Sequence, residues 1–300
     1  MLVNTFLPFA FAPLILTLPL AGLAWSRGAH WLGGLASLSG AILFGHFFLL
    51  YGALFLPRLA GGRPGPGPTL LLQTFNVGWD QREPERIAAA VADVNADVVA
   101  LVEMDEDTSS YLGQALASQY PYVVLEEKGS SGLLSRLEIL EVEWIPFGDN
   151  PLLLRVVIDW EKTPLTVFVV HLQVPEFKTW SATGVPLGLE DTERWGWVRE
   201  IRRRALSVAG PVIVMGDFNM APSNPAYDEI AAYLTDAFRA AGWGFGFTWP
   251  QGAGYHGIYV PFRLVRIDYV FHSPDLYPLT VGLGCDSGSD HCYLTVRLRR

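Results

Sequence analysis

"VIVMGDFNMAPSNP", residues 212–225, holds the reading on which the fold turns. Val212 to Met215 form a short, unbroken apolar run, the pattern of a strand covered on both faces. Gly216 and the stretch from Ala221 to Pro225 mark the exit into a loop. Asp217 and Asn219 stand at that exit, anchored by the sheet and facing its rim, where ligands of α/β sheets gather. An Asx-turn that satisfies only loop backbone fits the same two residues. The rest of the chain has to decide between these readings.

Outward from this strand, the chain from Thr69 alternates strand and helix patterns. "TLLLQTFNV" (69–77) reads as a buried strand ending at Asn76, and "PERIAAAVADVNAD" as a helix with Pro84 in its first turn. "DVVALVEMDED" delivers Glu103 at a strand end. A second helix is expected around Thr108 to Ser118, then strands near Tyr122–Leu125 and Gly132–Ser135. "LEILEVEW" alternates as a half-exposed strand does. "LLLRVVIDW" and "LTVFVVHLQ" suggest a hairpin ending at His171, followed by a loop over 174–189. A helix from about Thr192 to Val208 places Trp195, Val198, Ile201 and Ala205 on one face, with Arg199, Arg202 and Arg203 solvated. Strands at "RIDYVF" and "CYLTVRL" complete an order that implies mixed or packed sheets with helices outside.

The N-terminal region is of another kind. Leu2 to Trp25 and Trp31 to Leu56 carry no charged side chain. Each is long enough to cross about 30 Å of hydrocarbon at about 1.5 Å per residue. The short link Ser26 to His30 makes a helical hairpin the simplest arrangement. A signal peptide competes for the first segment, yet no Lys or Arg precedes it. Gly33, Ser37, Ala41 and Gly45, four apart, predict a packing face. The expected division is therefore 1–57 membrane helices, 58–68 a Pro/Gly linker that spaces the next domain off the bilayer, and 69–300 one domain. Residence in the cell membrane with two passes follows. One Arg in the link against two after the second span tilts the domain towards the cytoplasm by a single charge and leaves the side open.

All 30 acidic residues lie after position 68, against 18 of the Lys and Arg, a formal charge of −12 for that part. This balance opposes tight non-specific duplex binding, which rests on neutralised phosphates. Cys285 and Cys292 flank a loop; a bridge in an oxidising compartment and two free thiols both fit.

Polar groups end or interrupt nearly every apolar run: Asn76, Glu103, His171, Asp217 with Asn219, Asp268, and Asp290 with His291. Gathered, they suit metal-assisted attack of water on a phosphoester. Glu103, Asn76 and Asp290 are the candidate ligands of a hard cation, Mg²⁺ or alternatively Mn²⁺. Asn219 and His171 suit phosphoryl oxygens. Either Asp217, or His291 oriented by Asp268, suits the water.

"TFNV", "ALVEMDED", "GLLSR", "VHLQ", "MGDFN", "RIDYVF" and "GSDHC", in this order, resemble the endonuclease/exonuclease/phosphatase superfamily, with its deoxyribonuclease I-like and neutral sphingomyelinase-like members. The resemblance spans essentially 69–300. It implies a four-layer α/β sandwich of two central mixed sheets flanked by helices, and a Mg²⁺-dependent phosphoesterase site at one edge. It implies Asn76 and Glu103 on the metal side, and Asp217 and Asn219 flanking water and phosphate. His171 would contact phosphate, and Asp268 with His291 would form a dyad beside Asp290. Gly78 departs from abasic-site enzymes, which carry an acid after "NV". The apolar N-terminus is similar to membrane-anchored bacterial members.

The expectation is a membrane-anchored, metal-dependent phosphodiesterase acting on a lipid or small-molecule phosphoester. A nuclease guided by Arg199, Arg202, Arg203 and Arg204 is the alternative. An inactive lipid- or protein-binding module is the alternative of another class. Trp243, Phe245, Phe247 and Trp249, with Trp79, Phe177 and Trp180, suit base stacking, a headgroup, the bilayer interface or loop packing.

Overall fold

The computed structural model describes residues 6–56, 66–78, 83–126, 130–146, 152–174, 176–179, 186–190, 192–251, 254–255 and 258–300. Trp79, Trp180 and most of the Pro/Gly linker lie outside these. The strands are β1 (Thr69–Asn76), β2 (Val98–Val102), β3 (Tyr122–Leu125), β4 (Ser131–Ser135), β5 (Ile139–Pro146), β6 (Leu152–Trp160), β7 (Thr163–His171), β8 (Glu176–Thr179), β9 (Pro186–Glu190), β10 (Val212–Asp217), β11 (Thr235–Asp236), β12 (Gly254–Tyr255), β13 (Ile258–Tyr259), β14 (Asp268–His272), β15 (Tyr277–Gly284) and β16 (Tyr293–Arg299).

Two 6-stranded mixed sheets run in the orders β15-β16-β1-β2-β4-β3 and β11-β14-β10-β7-β6-β5. Side chains alternate along each strand, which explains the unbroken apolar runs. Leu70, Leu72, Val98 and Ala100 meet Val167, Val169, Ile213 and Met215 between the sheets. Phe75, Val99 and Leu101 turn outward onto the helices Pro84–Val94 and Glu106–Ala115. Val212, Val214 and Phe168 turn outward onto Thr192–Ser207 and Pro225–Ala231. Helix, sheet, sheet and helix make four layers, as expected.

Two expectations need correction here. The segment 174–189 is not only loop, since β8 and β9 pair within it. A short pairing of so few residues leaves little periodicity to read. The helix expected from Thr108 begins at Glu106, where the Asp105 carboxylate accepts from the Thr108 N–H as an N-cap.

The N-terminal helices α1 (Leu14–Ser26) and α2 (His30–Tyr51) lie side by side as a hairpin, each part of a span long and apolar enough to cross a membrane. Ile15, Leu18, Ile42 and Leu49 point outward, Leu49 with 83% of its surface bare. The contact line runs through Gly33 against Trp25 and Gly40 against Thr17. The expected row of Ser37, Ala41 and Gly45 is not that line: Ser37 and Ala41 are exposed. A strict spacing of four drifts off a straight line at about 3.6 residues per turn, whereas seven keeps to it.

The hairpin is also not held away from the following domain. Phe245 stacks among Phe47, Tyr51 and Phe55, and Phe247 against Phe9. Apolar rings on both partners bury each other, so the hairpin and the domain are in direct contact.

Candidate active site

Strand register lays down the first row of the site. Within the second sheet, β10 runs parallel to β7 with Asp217 opposite His171, and antiparallel to β14 with Asp217 opposite Asp268. Gly216 makes this row possible. Its φ is 142°, and a Cβ there would fall 1.9 Å from the Val170 carbonyl oxygen. In the first sheet β1 and β2 run parallel, so Asn76 and Glu103 reach the same edge. Glu103 leaves its strand with φ 58°, unusual for a residue with a Cβ. Because β16 is antiparallel to β1, the loop entering it brings Asp290 and His291 to that edge too.

The two sheets meet there through side chains. Asn76 Nδ2 donates to Asp217 Oδ2 at 2.9 Å. His171 Nε2 lies 2.9 Å from Glu103 Oε1. His291 Nδ1 is 2.9 Å from Asp268 Oδ2, and its Nε2 is 3.9 Å from Asp217 Oδ2. Donor atoms of Glu103, His171 and Asp217 lie within 4.8 Å of one another, as do those of Asp217, Asp268 and His291. Asp217 belongs to both groups. It also answers the question left open by "DFN": Oδ1 accepts the Asn219 N–H at 2.7 Å as an Asx-turn, while Oδ2 faces the site. Asn219 uses one amide hydrogen on the Leu172 carbonyl at 2.7 Å, which leaves the second of its two donors for a ligand.

Asp290 stands apart from both groups. Its Oδ2 accepts the Trp249 indole N–H at 3.0 Å, and its Oδ1 lies against Gly78, where a side chain would crowd it.

Burial and crowding set the charges. Burial and the neighbouring Asp268 push the Asp217 carboxyl up to about 7. Burial pulls His291 down, but Asp268 and Asp217 outweigh it and hold the imidazole up to about 10. His171 is likewise raised, since the Glu103 hydrogen bond and Asp217 overcome its desolvation. Glu103 is lowered: burial opposes its charge, and His171 more than restores it. Asp268 Oδ1 is buried without a hydrogen-bond partner. The carboxylates of Glu103, Asp217 and Asp268 in these two groups, with one oxygen left without a partner among the described residues and one acid pushed towards neutrality, are a donor set that fits a hard divalent cation.

Four supporting residues were not identified from sequence. The buried Arg194 donates to the carbonyls of Asn219 and of Gln173, the latter at 2.7 Å. Its signal was present: Arg194 sits at helical spacing with Val198, Ile201 and Ala205, a cation on the apolar stripe. Thr248 Oγ1 accepts the N–H groups of Ile267 and Asp268 at 3.2 and 3.4 Å. Trp249 holds Asp290, and Ser289 Oγ donates to the Asn76 carbonyl at 2.7 Å while accepting from His291 N. Nothing in the local sequence marks Thr248, which acts on residues distant in the chain, while Trp249 and Ser289 stand in the aromatic stretch and in "GSDHC" without these roles being legible. The arginines of the 192–207 helix turn to its own neighbours: Arg202 pairs with Glu229, and Arg203 and Arg204 with Glu200.

Cys285 and Cys292, which extend the β15–β16 ladder by one pair, form a disulfide with Cα atoms 4.4 Å apart. It closes the neck of the loop that carries Ser289, Asp290 and His291.

Residues 74–291 match the Endonuclease/Exonuclease/phosphatase family. No curated protein matches the chain in sequence. Among solved structures, D. rerio TDP2 complexed with single strand DNA product is similar at TM-score 0.60 and 20% identity, over 77% of this chain and 99% of that one. Sphingomyelinase C from Streptomyces griseocarneus is similar at TM-score 0.56 and 20% identity, over 77% and 99%. An endonuclease/exonuclease/phosphatase from Bacteroides vulgatus gives 0.58 and 17%, over 77% and 99%. At such identities the likeness is one of fold.

Proposed function

Since the chain belongs to the endonuclease/exonuclease/phosphatase family of metal-dependent phosphoester hydrolases, we propose that it is a membrane-anchored, Mg²⁺-dependent phosphodiesterase. The observation that carries this reading is Asp217, shared by two groups of metal-competent side chains drawn from both sheets. Glu103 and Asn76 would hold the cation, with Asp290 beside them. The chemistry supplied by a divalent ion held by these residues would be Lewis-acid polarisation of a phosphoryl oxygen and compensation of developing negative charge.

The remaining roles belong to the chain. Asp217, raised to about 7, suits the task of orienting water and taking its proton near neutral pH. His291, held up to about 10 by Asp268 and Asp217, donates as imidazolium to a non-bridging oxygen, and His171, raised by the Glu103 hydrogen bond and Asp217, is placed to donate to another. Asn219 adds an uncharged donor. These groups are held before reaction, so little reorganisation is required as charge develops.

The outward apolar faces of the hairpin support anchoring through residues 1–57, with residues 69–300 as the catalytic domain. The disulfide supports a domain facing an oxidising compartment rather than the cytoplasm, against the tilt of a single arginine. Of the arginines that would have guided a nucleic acid, Arg202, Arg203 and Arg204 are already paired with carboxylates and Arg199 lies over the Trp195 ring, which favours a lipid or small-molecule substrate over a nuclease.

The test is hydrolysis of bis(p-nitrophenyl) phosphate by the full chain in detergent, with Mg²⁺ and with chelator. Activity should require the metal and fall by about 10²–10⁴ in Asp217→Asn. Absent hydrolysis would leave the binding-module reading standing, and hydrolysis unaffected by chelator would remove the metal from the mechanism.

A further inference from the structure

The loop 242–249 touches two things at once. At its start it is fastened to the foot of the hairpin. Gly244 N donates to the Leu54 carbonyl at 2.7 Å, and Trp243 Nε1 to that of Phe55 at 3.2 Å. Phe245 lies 5.3 Å from Tyr51 and 5.4 Å from Phe55, ring centre to ring centre, and Phe247 lies 5.7 Å from Phe9. At its end it is fastened to the candidate site. Thr248 O accepts the Cys292 N–H at 2.9 Å, Thr248 Oγ1 accepts from Asp268, and Trp249 donates to Asp290.

Phe245 and Thr248 are three residues apart, which spans at most about 10 Å of extended chain. Rings such as Phe9, Tyr51, Phe55 and Trp243 at the end of an apolar hairpin occupy the level where headgroups meet hydrocarbon. Trp243 is 70% exposed, so it presents bare aromatic surface to whatever surrounds the foot. A domain that only needed tethering would not require its site loop to be hydrogen-bonded to the anchor. Here the distance from dyad to headgroup layer is set by covalent and hydrogen-bonded geometry, not by a linker.

We propose that the substrate is a phosphodiester headgroup of a lipid in the bilayer that holds the hairpin, and that Trp243 and Phe245 seat the site at its surface. This rests on the phosphodiesterase reading above. Water adds to phosphorus, and the bond from phosphorus to one ester oxygen breaks. That oxygen leaves as an alcohol carrying a proton from the water, and the remaining phosphomonoester keeps the water's oxygen. The domain's excess of acid disfavours a polyanionic strand and places no such bar on a single headgroup.

The experiment reconstitutes the full chain with Mg²⁺ in vesicles containing phosphatidylethanolamine, phosphatidylglycerol or sphingomyelin, each diluted with a galactolipid that carries no phosphate. At least one lipid should be cleaved, at a rate that follows its mole fraction in the surface and not the bulk vesicle concentration. Phe245→Ser should lower the lipid rate tenfold or more and leave the rate on bis(p-nitrophenyl) phosphate within twofold. Trp243→Gln, at a position 70% exposed, should act in the same direction. Cleavage of the soluble diester with no lipid cleaved overturns the lipid assignment and spares the phosphodiesterase reading. So does a higher kcat/KM on a DNA oligonucleotide. Equal losses on lipid and soluble diester in both variants would show that the loop only braces the dyad. No cleavage of any substrate by the unaltered chain removes the phosphodiesterase reading itself.

Discussion

His291 Nδ1 lies 2.9 Å from Asp268 Oδ2, with 5% of the His291 side chain and 1% of the Asp268 side chain exposed. The two residues come from opposite sheets, and their bond is one of the ties that close the site across the sandwich. A carboxylate in this position fixes the tautomer of the ring and stabilises its cation. Asp268→Asn should therefore lower kcat by about 10²–10³ with little change in KM. The double variant with His291→Gln should be scarcely worse than either single one, because the pair acts as a unit. Additive losses in steady-state kinetics would show that the two residues serve separate steps.

Metal affinity should depend on Glu103 more than on any other side chain. Glu103→Gln keeps the shape and a hydrogen-bonding oxygen but removes the charge. The Mg²⁺ concentration for half-maximal activity should rise at least about tenfold, and saturating metal should recover part of the rate. A metal titration that is unchanged in this variant would move the ligand role to Asp217 or Asp290.

Stability without metal should fall as pH rises. His291 is raised from 6.5 to about 10 in the folded chain. Its contribution is then complete below pH 6.5 and lost as pH climbs through about 10. Asp217, raised from 3.8 to about 7, loses its contribution in the same direction between those values. The melting temperature of metal-free protein should decline between pH 7 and pH 10. His291→Gln should flatten that decline, and a slope unaltered by the substitution would place its cause elsewhere.

Gly216→Ala tests the packing beneath the site. The added carbon would meet the Val170 carbonyl oxygen at 1.9 Å, on backbone that L side chains rarely adopt. A loss of about 3 kcal/mol in urea unfolding is expected. A loss under about 1 kcal/mol would mean that β7 and β10 separate easily.

The proposal that the domain faces an oxidising compartment is tested through the disulfide. Cys292→Ser frees Cys285, which is partly exposed. An impermeant maleimide should label it in intact cells. Labelling only after permeabilisation would put the domain in the cytoplasm.

The sequence by itself determined the layers and the candidate acids, amides and histidines at the strand ends. "VIVMGD" and its counterparts are apolar on both faces, which demands cover on both sides, and the acids and amides at their ends are placed by strand geometry alone. Tertiary structure decided what no local window encodes. Register put Asp217 opposite both His171 and Asp268. Sheet packing brought Asn76 and Glu103 across to them, and the β15–β16 ladder joined Cys285 to Cys292. Thr248, Trp249 and Arg194 took their roles from partners 19 or more positions away. The aromatic loop found the hairpin through Phe245 and the site through Trp249. Such contacts arise from pairing between distant segments, whose energies depend on which surfaces are left to bury once the strands have formed.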